Sequence, residues 1–428
     1  MATTYKNVNI LDGTKDMKLQ ENMMLTVSGG KIVSIKKNDP DAEGIDLGGK
    51  YIIPGLVNLH VHTPANGFPK KKQTDSKKLA KLVMSNKLTQ QIGVMLSKSG
   101  IQTELLSGTT TIRTVGGLGH IDSMLRDKVS SSKMDGPRIL SSDSAITVPG
   151  GHMEGSVAYG ALDDDDLVRF IAENVNAHVD WIKIMITGGV LDAKVKGEPG
   201  EMKMAPEQVK LCCETAHRLG KKVCAHVESP KGVEVAIDNG VDSIEHGSEM
   251  SDELINKMLK ENRVLVSTLS PAIPLAKFDP SITGGNDIQR YNSEVLLEGI
   301  IDCTKKCIKA GVKVGFGTDT GCPFVTHYDM WRELEYAHYL CDIDRKDCLY
   351  LCTLNNAEIL GIENETGSIE EGKLAEFMVV NNNPLDGFDT IRNPEIVVFR
   401  DKVYNKPQVK KSPIAEKYLD EYLETLKA

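Results

Sequence analysis

Two histidines, His60 and His62, stand two residues apart directly after the apolar run 51–57. In a β-strand, side chains two positions apart project from the same face. Both imidazoles would therefore leave the end of one strand together and could bind one metal ion, for which histidine is the commonest ligand. A strand with two unrelated histidines has the same spacing, so the pair needs support from the rest of the chain.

Eight strand-like runs follow one another from Tyr51 onward, and helical periodicity lies between most of them. The runs cover residues 51–62, 109–115, 137–142, 181–186, 222–226, 243–246, 264–268 and 312–317. Eight successive β-α units predict an α/β fold, the (β/α)8 TIM barrel, whose catalytic residues lie at the carboxyl ends of the strands.

Both ends of the chain are rich in short strand-forming runs and turns, including a hairpin around Gly29-Gly30 and another around Asp401. We therefore predict a small discontinuous β-sandwich domain built from both chain ends. The predicted divisions are residues 1–53 and 366–410 for the two parts of the sandwich, 54–365 for the metal-binding barrel and 411–428 for a C-terminal helix.

Further polar residues fall on the barrel strands. Lys183 lies inside strand four, His226 and His246 end strands five and six, and Asp319 follows strand eight. A lysine within an apolar strand is costly unless it is neutralised or paired, and its apolar neighbours argue against a lysine that extends to the surface. A single polar residue at a strand end commonly packs or caps, but six in these positions predict one site.

Composition excludes several other functions. A net charge of -9 argues against a nucleic-acid binder, which usually carries a basic patch. No run of about 18 apolar residues predicts a membrane span, and the N-terminus lacks the apolar segment of a secretion signal. Nine cysteines without a framework spacing indicate reduced thiols, so we expect a cytoplasmic protein.

Longer sequence motifs add a resemblance to a known family. They occupy residues 9–13, 54–62 and 367–373 and, for a closer match, 148–152, 182–189 and 317–319. With them the chain resembles the amidohydrolase superfamily of metal-dependent hydrolases, in the branch of imidazolonepropionase-like and Xaa-Pro dipeptidase-like proteins. A small departure is Lys373-Leu374-Ala375-Glu376, where the family usually has Ala-Asp, in the β-rich tail.

The resemblance implies a binuclear centre of two divalent ions, usually zinc. The implied ligands are His60, His62 and Asp319 for one ion, His226 and His246 for the other, and Lys183, as a carbamate derived from CO2, for both. It further implies that a hydroxide bridging the ions cleaves a small amide or peptide bond, with Asp319 acting as general base and then as general acid.

Some residues outside the ligand set are candidates for substrate contact. His152 follows Gly150-Gly151, and the resemblance places it near the substrate carbonyl as an oxyanion donor, although an ordinary loop histidine would have the same surroundings. The weaker candidates are His120, Arg113, His327 and Tyr328. Arg113 could be structural or could hold a substrate carboxylate. Specificity is expected in the loops 63–80, 190–204 and 270–292.

For the substrate we expect a small molecule, a dipeptide or an N-acyl amino acid with a free carboxylate. We also expect a homo-oligomer, with no nucleic-acid or membrane partner. One alternative is a mononuclear deaminase, in which Glu228 would move protons, or an imidazolone-type cyclic amide hydrolase; counting metal ions separates these from the binuclear enzyme. Another is a non-catalytic scaffold of the same fold, which would be expected to lack ligands.

Overall fold

The computed structural model describes residues 2–69 and 75–428. Residues 70–74, part of the predicted specificity loop 63–80, lie outside the described residues. The strands are Thr3–Ile10 (β1), Gln20–Ser28 (β2), Lys31–Lys37 (β3), Ile45–Asp46 (β4), Tyr51–Pro54 (β5), Leu56–Val61 (β6), Thr109–Thr114 (β7), Arg138–Ser141 (β8), Ala145–Thr147 (β9), Ala158–Gly160 (β10), Trp181–Met185 (β11), Lys222–Val227 (β12), Ser243–His246 (β13), Val264–Ser267 (β14), Lys313–Phe316 (β15), Glu376–Val380 (β16), Ile396–Phe399 (β17) and Lys402–Asn405 (β18).

Helices follow most of the barrel strands. They are Ser76–Val83 (α1), Lys87–Leu106 (α2), Ile121–Ser130 (α3), Asp164–Asn176 (α4), Pro206–Arg218 (α5), Pro230–Asp238 (α6), Asp252–Lys260 (α7), Ala272–Lys277 (α8), Pro280–Thr283 (α9), Asp287–Ala310 (α10), Met330–Cys341 (α11), Arg345–Leu351 (α12), Leu354–Leu360 (α13) and Pro413–Lys427 (α14). Two short 3-10 helices cover Val190–Asp192 and Phe388–Arg392.

The barrel strands pair in parallel, in the order β6-β7-β8 and β9-β11-β12-β13-β14-β15. The third strand is interrupted, so that β8 pairs with β7 while β9 pairs with β11. The barrel closes beside β6, where the backbone N–H of Asp319 donates to the carbonyl of His60 at 2.9 Å. A TIM-barrel-like α/β core, as predicted, brings the carboxyl ends of these strands to one face.

Strands from both chain ends form one hydrogen-bonded sheet, in the order β18-β17-β16-β5-β1-β2-β3, with β4 paired to β1. The two ends meet at β5, which pairs antiparallel with β16 and parallel with β1. A small core lies against this sheet and includes an edge-to-face contact between Tyr5 and Phe377. The β unit therefore draws on both ends of the chain, as expected, and its eight strands are joined in a single sheet.

The predicted first barrel strand, 51–62, was wrong in one respect: it is two strands that belong to different sheets. The break is at Gly55, whose N–H donates to the carbonyl of Glu376 in the terminal sheet, while the next N–H, of Leu56, donates to Gly108 beside the barrel. A Cβ on Gly55 would lie 2.1 Å from Oγ1 of Thr110, so only glycine allows this close crossing.

The C-terminal helix α14 packs against the barrel through both charged and apolar residues. Arg332 of α11 pairs with Glu416 at 3.0 Å and with Asp420 at 2.6 Å. Leu419 joins a buried cluster with Phe278 and Phe324. Within the described residues no helix is both long and apolar enough to cross a membrane. All nine cysteines are unpaired thiols, and eight of them are buried.

Candidate metal centre

The first group of converging donors consists of His60, His62 and Asp319. Oδ1 of Asp319 lies 3.4 Å from Nε2 of His60 and 3.1 Å from Nε2 of His62. Donors at a tetrahedral zinc ion with bonds of about 2.0–2.1 Å lie about 3.3 Å from one another. The three side chains therefore already have the separation that one such ion requires.

A second group lies beside the first and consists of His226, Glu228 and His246, all buried. The ring centroids of His226 and His246 are 4.7 Å apart, and His246 is also 4.7 Å from His60. His246 therefore links the two groups. Each group offers three donor atoms within 4.8 Å of one another, so the end of the barrel has room for two neighbouring ions.

Lys183 is buried in the interior of the barrel, in register with Cys224 of the next strand. Its Nζ has no hydrogen-bond or ion-pair partner among the residues that the structure describes. Burial lowers the pKa of this amine, and its positive charge in turn lowers the pKa of His60, His226 and His246. A buried amine whose charge acts on both donor groups and which lacks a partner fits a lysine that is modified to an anionic ligand.

Three of the histidines are held by a hydrogen bond at Nδ1. His60 Nδ1 lies 2.8 Å from Oε2 of Glu245, His62 Nδ1 lies 2.9 Å from the carbonyl of Gly116, and His246 Nδ1 lies 2.7 Å from Oγ1 of Thr268. These bonds leave Nε2 as the nitrogen that faces the donor groups. Metal-binding histidines are typically oriented by such outer partners.

The electrostatic environment favours the metal-binding form of these groups. Burial, followed by the charge of Lys183, lowers the pKa of His60 to about 4, and burial holds the pKa of His226 and His246 well below the usual value. These rings are neutral near pH 7, and only a neutral imidazole can bind a metal ion. Burial raises the pKa of Asp319, but the neighbouring histidines outweigh it and hold the pKa well below its usual range.

Two of the candidate ligands have left-handed backbone conformations, His246 with φ of 67° and Asp319 with φ of 56°. Such conformations are uncommon for residues with a Cβ and cluster at functional sites, where surrounding structure enforces them. His246 is the last residue of β13 and Asp319 follows the end of β15 by three residues, so both lie at the carboxyl ends of the barrel strands.

A cavity opens from the second donor group and is bounded by the loops after several barrel strands. Its polar residues include His152, Glu228 and Asp319, and most of the remaining wall is apolar. The apolar lining is contributed by Val190, Leu191, Pro271, Ala272, Pro274, Leu275, Leu296, Ile300, Pro323 and Phe324. The His152 ring stacks on that of His226, with centroids 4.2 Å apart and planes 6° apart.

The four weaker substrate candidates lie outside the lining of this cavity. Arg113 is fully buried and binds both carboxylate oxygens of Glu245 at 2.7 Å, and His120 lies at the start of α3 against Asp143. The other two are buried and already occupied. His327 contacts Glu104 and the carbonyl of Ala65, and the Tyr328 hydroxyl accepts the N–H of Ser412.

Sequence reasoning missed several residues that shape the site. Glu245 bridges His60 and Arg113, Thr268 holds His246, and Asp192 contacts His152. Only Glu245 had a usable signal: a glutamate and an arginine, each within a buried strand, are costly alone and inexpensive as a pair. Thr268 and Asp192 have no such signal, since a threonine at a strand end and an aspartate in a loop are both common without a functional role.

Comparison with known proteins identifies the family. The profile described as the amidohydrolase family matches residues 51–407. The chain belongs to the amidohydrolase family. A candidate prolidase from Bifidobacterium longum has 32% sequence identity, and the two structures align over 100% of this chain and 99% of that one with a TM-score of 0.84. A Xaa-Pro dipeptidase with bound methionine has 27% identity over 95% of this chain and 100% of its own, with a TM-score of 0.82.

Among curated sequences, the imidazolonepropionase of Streptococcus gordonii is 22% identical over 403 residues, which are 87% of each chain. These relatives confirm the predicted branch, imidazolonepropionase-like and Xaa-Pro dipeptidase-like. Members of the family are hydrolases of C–N bonds that act on small molecules and generally use metal ions. The chain is therefore an amidohydrolase-family hydrolase.

Proposed function

We propose that this protein is a binuclear metal-dependent hydrolase that cleaves the amide bond of a dipeptide or an N-acyl amino acid. The observation that carries the proposal is Lys183, a buried and unpartnered amine whose charge acts on histidines of both groups of three donors. A single-ion site would need only one of these groups. A lysine carbamate would give both groups a shared anionic ligand and would remove the cost of a buried cation.

The donors present fit divalent ions such as zinc, which prefers imidazole and carboxylate ligands. His60, His62 and Asp319 would hold one ion, His226 and His246 the other, and Lys183 both. When bound, such ions polarise a carbonyl and lower the pKa of water enough for attack near neutral pH.

Asp319 is the residue best placed to move the proton. Its Oδ1 faces His60 and His62, whereas Oδ2 accepts only a long hydrogen bond, 3.4 Å, from Sγ of Cys322. Oδ2 can therefore take the proton of the attacking water and pass it to the leaving amine. His152 also lines the cavity, where it can donate a hydrogen bond to the oxygen of the scissile carbonyl.

The cavity wall supports a substrate with an apolar side chain or acyl group. Leu191, Leu275, Leu296 and Phe324 come from four different segments and enclose this space, and the described lining includes no lysine or arginine. An apolar group gains about 25 cal/mol for each Å² that it buries there. The free carboxylate of the substrate would then lie toward the open end of the cavity.

The test is a screen of the zinc-loaded, bicarbonate-treated protein against a panel of Xaa-Pro and other dipeptides and N-acetyl amino acids. We expect cleavage of substrates with an apolar residue, with release of the free amine. Substitution of Leu275 or Leu296 by aspartate should abolish cleavage of those substrates without loss of bound metal. A panel with no cleaved member would contradict the proposed substrate class.

A second candidate is a mononuclear deaminase or cyclic amide hydrolase, and one observation favours it. Glu228 lies in the cavity beside His226, with Oε1 3.8 Å from Nε2, and its Oε2 accepts the N–H of Val190 at 2.8 Å. A carboxylate so placed could transfer protons at a single-ion site. One bound ion per chain together with an unmodified Lys183 would favour this candidate, and two ions would exclude it.

A further inference from the structure

The ring of His152 is held by one residue that no sequence motif marks, Asp192. The Nδ1 atom of His152 lies 2.5 Å from Oδ2 of Asp192. Asp192 ends the 3-10 helix Val190–Asp192, which follows β11 through Gly188-Gly189, whereas His152 lies between β9 and β10. Two separate loops at the carboxyl end of the barrel therefore meet in this bond.

The contact leaves one nitrogen of His152 for the cavity. The carboxylate of Asp192 can only accept from Nδ1, so the Nδ1 atom carries the hydrogen. Nε2 has no hydrogen-bond partner among the residues that the structure describes, and the ring belongs to the cavity wall. Nε2 is therefore the atom of His152 that can meet a substrate.

Neighbouring residues restrict the orientation of the His152 ring. It stacks on His226, and Gly189 lies so close that an added Cβ would be 2.6 Å from Cε1 of His152. Stacking fixes the plane of the ring but permits a half-turn about the Cβ–Cγ bond, which would exchange Nδ1 with Cδ2. The bond from Nδ1 to Asp192 selects one of these two orientations, because the Cδ2 edge offers no hydrogen-bond donor.

Asp192 is itself held in place. Its Oδ2 also accepts the N–H of Gly189 at 3.2 Å. The 3-10 helix is bound to α10, because Nε2 of Gln289 donates to the carbonyl of Leu191 at 3.1 Å. The loop that follows it is bound to the same helix, because Asn292 accepts the N–H of Gly197 at 2.7 Å. A rigid support of this kind is what a positioned catalytic group requires.

We propose that Asp192 is the positioning residue that holds His152 with Nε2 toward the scissile carbonyl. The proposal rests on the proposed amide hydrolysis for its effect on turnover, but the orientation of the ring can be tested without any substrate. Outer partners of this kind typically contribute 10–100-fold to activity. Asp192 does not line the cavity, so it acts through His152 and not on the substrate.

The kinetic test is a double-mutant cycle in the zinc-loaded enzyme, with the most rapidly cleaved dipeptide of the panel as substrate. We expect Asp192→Ala to lower kcat about 10–100-fold with little change in KM. Asp192→Asn, whose carbonyl still accepts from Nδ1, should recover most of this loss. In a His152→Gln background, Asp192→Ala should have no further effect, because the two residues act as one unit. An equal loss in both backgrounds would overturn the proposal.

The structural test is a crystal structure of the Asp192→Ala protein, which separates failure of this proposal from failure of the proposed function. We expect the His152 ring to lose the orientation that directs Nε2 into the cavity, whereas Asp192→Asn should keep that orientation. An unchanged ring in Asp192→Ala would overturn the proposal whether or not any peptide is cleaved. The matched control is Asp242→Ala, which removes the similar bond to His217, 2.7 Å long and remote from the cavity; it should leave kcat and the His152 ring unchanged.

Discussion

Oε2 of Glu245 lies 2.8 Å from Nδ1 of His60, and the same carboxylate binds the guanidinium of Arg113. Glu245 therefore connects a charge buried in the barrel to a candidate metal ligand. Burial raises the pKa of Glu245, but Arg113 outweighs burial and keeps the carboxylate ionised. An ionised acceptor fixes the proton of His60 at Nδ1 and directs Nε2 toward the ion.

Replacement of Glu245 by glutamine should weaken metal binding by roughly 10–100-fold, because His60 loses its ionised partner. The change also leaves Arg113 without its counter-charge in the barrel interior, so the metal-free protein should unfold at a lower temperature. Competition with a chelator and thermal unfolding measure the two effects. The matched control is Glu376→Gln, which removes a buried carboxylate from an ion pair with Arg400 in the terminal sheet and should leave metal affinity unchanged. Full metal affinity in Glu245→Gln would contradict this role of Glu245.

Alanine at Asp319 should lower turnover by about 10²–10⁴-fold, since the proton shuttle is lost. Most of the metal should remain bound, because His60 and His62 still supply two donors and the second group is intact. Elemental analysis and kcat on the best panel substrate test both parts. Asp238→Asn, which breaks an exposed ion pair between Asp238 of α6 and Lys257 of α7, should retain full turnover. An active Asp319→Ala enzyme would refute the shuttle assignment.

Methionine at Lys183 should remove the bridging carbamate while it keeps the volume of the buried side chain. After incubation with [13C]bicarbonate, the wild type should show a carbamate carbon signal in the NMR spectrum, and the variant should lack it. The variant should also bind fewer ions per chain. Lys203→Met, at an exposed ion pair with Glu201, should keep the signal and the ions. A wild-type spectrum without that signal would rule out the modification.

Stability should depend on pH through Glu333, whose pKa is raised to about 7 because the carboxyl is buried. Its usual pKa is 4.5, so the unfolded chain releases this proton at lower pH than the folded one does. The folded state therefore loses stability as pH rises from about 4.5 to about 7, by about 3 kcal/mol for this group. Urea unfolding of the metal-free protein between pH 4.5 and pH 8 should show this decline as the difference in unfolding free energy between wild type and Glu333→Gln.

The same measurement on Glu333→Gln should give a flatter pH dependence, because glutamine cannot ionise. Glutamine retains one acceptor for the N–H groups of Leu269 and Ser270, which the wild-type carboxylate accepts at 2.6 and 3.0 Å. Glu298→Gln, which removes an exposed carboxylate on α10, serves as the control and should keep the wild-type slope. Identical slopes in wild type and Glu333→Gln would show that Glu333 does not control the pH dependence.

The order of strands and the residues at their ends could be predicted because both follow from local pattern. Short, largely apolar runs mark the strands, and His60, His226 and His246 lie at their carboxyl ends. The division at Gly55 could not be predicted, because it depends on how close Thr110 comes in the folded barrel.

The substrate contacts were less predictable than the metal ligands. His327 lies in the right loop, but its ring turns away from the cavity to bind Glu104 and the carbonyl of Ala65. Loop residues have no fixed periodicity, so the sequence places them near the site without giving the direction of the side chain. Ligands on strands escape this problem, since the strand itself sets their direction.

β6, which carries His60, follows β5 directly after Gly55. The partner of β5 is β16, which lies near the other end of the chain. During synthesis β1, β2 and β3 can pair early, but the apolar edge of β5 stays open until residues 376–380 have left the ribosome. Unpaired apolar edges attract other chains. A chain that stops short of β16 would therefore be prone to aggregate even with its barrel residues complete, so the last strands of the protein protect the first from other nascent chains.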